Sequence, residues 1–456
     1  MLNYLDRANK VVWGLPMLML ILGVGVYLSV RTGFAQFKLL PAALRDLARR
    51  VKERNKGEGV SSYRALCTAL AATVGTGNIA GVAGAIAIGG PGAIFWMWIC
   101  AFLGMMIKFA EATLSVAYRT QNKKCEWVGG PMYMIRKAIP GGKWLAGVYC
   151  FFGVVASFGV GNGTQINAVM GGIHGISEFL GWNVSGWVDV LIGCIIGLLI
   201  LRMMLGGASK IGASVERLVP FAAIGYVALC AIALIGRFQN IHKAFYLILR
   251  GAICPSAITG GVIGSVFVAL RVGVSRGLFT NEAGLGTAGI AHAAAEVREP
   301  VEQGLMGIIE VFLDTIVICT MTALVILCSD IPIAFGNDTG ISLTMRAFCE
   351  VLGQWSMIPI TVAMVCFAIA TIFGWGLYGV RCAQYLFGEN INKYFAVAQA
   401  GMAIISAVMG TGTIWMLAET LNGLMAIPNL IVLAYLTPQL ASLIKRYNGN
   451  RLTTLQ

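Results

Sequence analysis

The chain has 456 residues, of which 58% are hydrophobic and 12% charged, about half the ~25% charged fraction usual in soluble domains. So little polar side chain cannot cover a soluble globule, and the same apolarity excludes intrinsic disorder. The charge is lopsided, 33 Lys and Arg against 20 Asp and Glu for a net +13; cytoplasmic loops of a membrane protein account for such an excess without any nucleic acid.

A helix crosses the ~30 Å hydrocarbon layer with about 20 apolar residues. About eleven candidate spans follow one another: 12–30, 62–88, 92–117, 144–170, 186–205, 218–236, 256–283, 303–328, 356–380, 394–415 and 424–443. The expected fold class is therefore an all-α polytopic membrane protein. The first apolar run is long for a signal peptide and ends on Arg31 without a small-residue cleavage site, so it reads as a retained helix. Phe37–Arg54 then reads as a basic amphipathic helix on the inner membrane surface. The segment 31–64 carries nine basic residues, among them Arg45, Arg49, Arg50 and Arg64. With it cytoplasmic, alternation puts 25 of the 33 basic residues inside and six outside, while Lys108 and Arg271 fall within spans. The expected location is the cell membrane, with the N-terminus outside and the tail 444–456 cytoplasmic.

The second span holds Thr73-Val74-Gly75-Thr76-Gly77-Asn78 between apolar arms. Each Gly costs ~1 kcal/mol against Ala inside a helix, so the helix is expected to unwind here. Unwound backbone at membrane depth must line a cavity or be buried in protein. Thr73–Gly77 also spells TVGTG, close to a potassium-channel filter. That alternative requires a loop re-entering from outside, whereas this one follows the most basic loop and occurs once. In the fourth span, Asn162, Gln165 and Asn167 are three amides in six residues, a cost that points to an inward-facing polar site. The seventh span is punctuated by Gly260, Gly261, Gly264, Ser265 and Gly273, which places a second interruption there; Asn281–Gly286 then reads as the cytoplasmic end of that helix.

Residues 62–236 and 256–443 thus hold five spans each, both opening on an interrupted helix, after an N-terminal unit 1–61. An odd number of spans per block inverts one block relative to the other, the signature of an inverted repeat with a midplane site. Three acids lie within apolar segments: Glu111, Glu310 and Asp314. For Glu111 the expected role is pairing with Lys108 or Arg271; Asp314 is a candidate for proton coupling. His174, His242 and His292 stand at no metal-ligand spacing and HExxH is missing, so an intramembrane enzyme, a cofactor or a metal other than a coupling ion is not expected.

Several runs resemble the alanine/glycine:cation symporter family: Gly75–Ala83, Gly89–Trp98, Gly129–Tyr133, Gly277–Gly286, Phe312–Thr315 and Leu421–Asn429. They stand in family order from about residue 60 to 430. The resemblance implies a LeuT-type fold of eleven helices with one extra N-terminal helix. It implies symport, by alternating access, of alanine, glycine or serine with sodium, a proton being the alternative ion. The carboxylate of such a substrate needs N–H donors, which Thr76, Gly77 and Asn78 offer at the N-terminus of the following half-helix. The order Gly-x-Gly-Asn at 75–78 is also similar to that in the broken first helix of sodium-coupled neurotransmitter-type transporters, which implies free carbonyls at Ala71 and Val74 for sodium, with Thr371 completing the set. A sodium ion takes about five or six oxygens. Gln165 is expected to bond the substrate, Phe267 to wall its methyl group, and Trp375 either to cap the pocket or simply to pack. Asn281 and Glu282 would belong to the inner gate. Three residues depart from the family pattern, Glu419, Thr280 and Thr287, none of them expected at the site.

Overall fold

The computed structural model describes residues 9, 11–53, 60–182, 186–337, 340–409 and 411–453, with no side-chain description at 53, 178–179, 411–419 or 450–453. Helix α1 (Leu15–Arg31) carries Pro in its first turn, where the missing N–H costs nothing. It meets α2 (Ala35–Glu53) at 79°, across a turn in which Gly33 and Phe34 both have positive φ. The expected amphipathic segment is thus a separate helix lying across the end of α1. Its Arg50 bonds Asp46 (2.6 Å) on α2, Ser62 (2.5 Å) and Glu302 (3.3 Å).

Next come α3 (Ser62–Thr73) and α4 (Ala80–Gly89), then α5 (Gly92–Ala117) and the short α6 (Pro131–Ala138) after a small hairpin. Helices α7 (Lys143–Phe158) and α8 (Thr164–Phe179) form one span joined by a π-helical turn, Gly159–Gly163. They are followed by α9 (Gly186–Leu205), α10 (Gly207–Gly236) and α11 (Ile241–Ile253). The second half contains α12 (Val266–Asn281), α13 (Thr287–His292), α14 (Pro300–Val311) and α15 (Thr320–Cys328), the last two bridged by a π-helical stretch, Phe312–Cys319. Helices α16 (Gly340–Leu352), α17 (Met357–Phe387), α18 (Asn392–Val408) and α19 (Thr411–Thr453) complete the chain.

Among the described residues, eight helices are long and apolar enough to cross a membrane, or nine when the bent α1–α2 pair is taken as one span. The expected spans missing from that set are those the fold shortens or splits. Helix α1 has 17 residues, 62–88 is divided between α3 and α4, and 256–283 yields the 16-residue α12. Small residues let the helices meet closely, as in lipid they must. A Cβ on Gly304 of α14 would lie 2.1 Å from Thr113 Oγ1 of α5, and one on Gly307 would lie 2.7 Å from the Lys108 carbonyl. Gly193 and Gly197 of α9 fit against Ala407 and Ala400 of α18 in the same way. Trp144, Trp182, Trp187 and Trp355 are exposed at helix ends, where amphipathic rings meet the headgroups. Near the α3 N-terminus Arg64 pairs with Glu216 of α10 at 2.8 Å.

The second interruption is not where the glycines 260–273 suggested. Gly260, Gly261 and Gly264 all precede α12, whose first turn is capped by Ser265 accepting from Phe267 N (3.2 Å). Gly273 is helical and serves close packing, since a Cβ there would meet the Ala93 carbonyl at 2.4 Å. The break lies between α12 and α13, at Glu282–Gly286, where Glu282, Gly284 and Gly286 all take positive φ. The two glycines adopt it without the Cβ clash that other residues meet.

Candidate functional site

Helix α3 ends at Thr73, and Val74–Ile79 leave helical geometry before α4 begins. The backbone groups released there are taken up locally. Gly75 N–H donates to Asn78 Oδ1 (2.8 Å) and Thr76 N–H to Gln165 Oε1 (3.4 Å). Asn78 N–H reaches Gly75 O (3.3 Å). Each of those N–H groups would otherwise close a helical bond, so the carbonyls of Ala71, Ala72 and Val74 lose their helical donors. Gly77 lies within this turn, just ahead of the N-terminal end of α4 that the sequence assigned to a carboxylate.

Thr371 of α17 stands directly against this turn. A Cβ on Gly75 would lie 2.6 Å from Thr371 Oγ1 and 3.5 Å from Gln165 Oε1. The Thr371 hydroxyl is buried and unpartnered; it does not bond back to the carbonyl four residues earlier, as Thr in apolar helices commonly does. A buried hydroxyl without a partner beside released carbonyls is a donor set suited to a hard cation. Thr76, Asn78, Gln165 and Thr371 are all at most 2% exposed.

The three amides of the fourth span divide their work. Gln165 Oε1 accepts from Thr76 Oγ1 (3.0 Å), and its Nε2 donates to Val160 O (3.1 Å) within the π-helical turn. Asn162 instead donates to Gln399 of α18, and Asn167 to the Ser406 and Met409 carbonyls. Asn78 also donates to Asp314 Oδ1 (2.6 Å), Thr315 donates to Asp314 Oδ2 (2.8 Å), and Asn281 donates to Thr315 (3.1 Å). Asp314 is therefore bridged to both breaks through amides and a hydroxyl.

At the second break, Glu111 Oε1 accepts from Gly284 N (2.9 Å), Gly286 N (3.0 Å) and Asn429 Nδ2 (2.8 Å). The pairing expected for Glu111 is not formed: Lys108 bonds Glu310 (2.8 Å) instead, with His292 on the other carboxylate oxygen at 3.2 Å. Glu111 instead stands in for the helical carbonyls that the break's N–H groups have left. Glu282 accepts from Thr287 (2.6 Å) and from the indole of Trp375 (2.5 Å).

The profile of the sodium:alanine symporter family matches residues 1–455. The chain belongs to the sodium:alanine symporter family. It is 43% identical over 436 residues to an uncharacterized transporter of Haemophilus influenzae, covering 94% of this chain and 92% of that one. To the sodium/alanine symporter AgcS of Methanococcus maripaludis it is 41% identical over 455 residues, 98% of each chain. Among solved structures it is similar to the crystal structure of MhsT in complex with L-phenylalanine, with TM-score 0.55 and 14% identity over 86% of this chain and 99% of that one. At that identity the likeness concerns the fold, which is of the LeuT type. The family is one of secondary transporters, not enzymes.

Within this member of the family, several expected site residues come together at the first break: Ala71, Val74, Thr76, Gly77, Asn78, Gln165 and Thr371. Phe267 is not among them. It sits 46% exposed in the first turn of α12, far along the helix from Phe279 and Thr280, which lie against Gly77. A Cβ on Gly77 would be 3.0 Å from Thr280 Cγ2 and 3.5 Å from the Phe279 ring. Trp375 is fully buried, packed over Gly161 and bonded to Glu282, a packed position facing the second break. Asn281 and Glu282 lie at that break itself. Thr280 and Thr287 were not expected near the site, yet one touches Gly77 and the other holds Glu282; the Glu419 side chain is outside the described residues. Phe279 and Asn429 carried no assignment from the sequence, Gly75 was read only as a helix breaker and Glu111 as a partner of Lys108 or Arg271; the four share one trait. Each matters through a partner on another helix.

Proposed function

We propose that the chain is a sodium-coupled symporter that carries alanine, and with it glycine and serine, into the cell by alternating access. The observation that carries the reading is the unpartnered, buried Thr371 hydroxyl against Gly75, beside the released carbonyls of Ala71 and Val74. These are uncharged oxygens, the kind a sodium ion accepts and a proton does not need. Gly77 N–H and the N-terminal end of α4 suit the substrate carboxylate, and the Phe279 ring beside Gly77 suits a small side chain. Discrimination by a wall of this kind is limited to ~1–3 kcal/mol per methylene, so glycine and serine compete with alanine.

The inverted repeat is read as 62–236 against 256–443, each block opening on its broken pair, α3–α4 and α12–α13. The N-terminus lies outside and the C-terminus in the cytoplasm of a cell, with the basic α2 on the inner membrane surface. The test is uptake of labelled alanine by proteoliposomes. Internal unlabelled alanine should accelerate it, and replacing sodium by choline should abolish it at both acid and neutral pH. Uptake that persists in choline sinks the sodium assignment. Failure of all small neutral amino acids to trans-stimulate sinks the symporter reading.

A further inference from the structure

Glu111 Oε1 is saturated by three N–H donors, but Glu111 Oε2 is buried and has no partner. The same is true of Asn429 Oδ1, on the amide whose Nδ2 donates both to Glu111 Oε1 (2.8 Å) and to the Gly284 carbonyl (2.8 Å). Those two bonds fix the amide's orientation, so the orphan oxygen cannot be turned into a donor by exchanging O and N. The two groups, already joined by one hydrogen bond, are thus left with one surplus acceptor each. Buried acceptors left in this way require an explanation.

One hydrogen resolves both. A protonated carboxyl keeps Oε1 as an acceptor and makes Oε2 a donor; an acid and a primary amide then close a ring of two reciprocal bonds. We propose that Glu111 and Asn429 form a proton-binding site, in which a proton on Glu111 Oε2 is shared with Asn429 Oδ1 and fastens α5 and the second break to α19. A sodium ion fits these two oxygens poorly, since it takes about five or six, and Lys108 lies one turn away on the same helix.

Lys108 is already compensated by Glu310, which also receives His292. Glu282, at the break, is held by Thr287 and Trp375 and brings no cation. From α7, Tyr149 gives its hydroxyl to the Leu285 carbonyl (3.0 Å), and from α17 comes Tyr378. The contact from α19 is the Asn429 amide. An ionised Glu111 would thus be a carboxylate inside the bundle with no cation left for it, a state membrane interiors avoid. Because the proton's two holders lie on different helices, separating α5 from α19 removes the acceptor, which links proton occupancy to conformation.

The experiment is infrared difference spectroscopy of the full chain in lipid nanodiscs at neutral pH. The wild-type protein should give a carboxylic-acid C=O stretch that is lost in Glu111→Gln and shifted in Asn429→Leu, whose side chain accepts no bond. A wild-type minus Glu111→Gln spectrum without that band means an ionised Glu111, its orphan oxygens bridged by water, and overturns the proposal. So does a band that Asn429→Leu leaves in place, because the proton is then not shared. As a second readout, wild-type alanine uptake at saturating sodium should fall several-fold toward alkaline pH, and Glu111→Gln should flatten that profile. Parallel profiles would count against the site. If Glu111→Gln does not assemble, the Asn429→Leu shift still decides.

Discussion

Gly75 is the position where a single methyl group probes the cation site most directly. Its backbone is extended, φ −133° and ψ −161°, a conformation alanine adopts freely. Gly75→Ala therefore introduces no backbone strain and acts only through its Cβ. That carbon would sit 2.6 Å from Thr371 Oγ1 and 3.5 Å from Gln165 Oε1. The first distance is well inside van der Waals contact, so the Thr371 hydroxyl must rotate or withdraw. An oxygen lost from a cation is comparable to a hydrogen bond to a charged group, about 1.5–3 kcal/mol. With about 1.4 kcal/mol per factor of ten, the sodium concentration for half-maximal uptake should rise about 10- to 100-fold. The assay is alanine uptake by proteoliposomes across a sodium series. Gly81→Ala, where a Cβ meets nothing within 4 Å, is the control that should leave the curve in place. If Gly75→Ala transports with an unchanged sodium dependence, the oxygens around Gly75 do not bind the coupling ion.

Three further outcomes are expected. Gly77→Val should abolish alanine binding measured by scintillation proximity while the protein still inserts, because even a Cβ there would lie 3.0 Å from Thr280. Phe267→Ala should leave alanine affinity unchanged, whereas Phe279→Ala should widen the range of competing amino acids in uptake assays. Glu310→Gln should lower the melting temperature in detergent, since it strands Lys108 as a buried cation, a loss of about 3–5 kcal/mol; the double change Lys108→Met, Glu310→Gln should recover much of it.

Most of the bundle was legible because spans are a matter of composition. Runs such as 92–117 and 303–328 are long and apolar, and the fold keeps them close to those limits. The first break was legible for a related reason: two glycines and an asparagine in mid-span carry a local cost that no neighbour needs to explain. The second break was misplaced because the same local cost was counted at Gly260–Gly273, where the chain is not yet helical or is helical for packing. Asn281–Gly286 resembles an ordinary helix end, and what makes it an internal break is Glu111 arriving from α5 to take the Gly284 and Gly286 N–H groups. Phe267 went with that misplacement, and Phe279 is the aromatic that the true geometry brings to Gly77. Thr371 could be read from its position on α17; its lack of a partner could not, since that depends on what every other helix withholds.

Arg50 and Arg64 clasp the N-terminal end of α3 from two directions, one through Ser62 and the other through Glu216. The opposite end of α3 runs into unwound backbone and is free of helical continuity with α4. A short rod that is hinged at one end and fastened at the other by guanidinium groups moves only when those fastenings let go. Partly exposed ion pairs weaken as salt rises. Ionic strength therefore sets how firmly the Arg64–Glu216 pair holds the N-terminal end of α3.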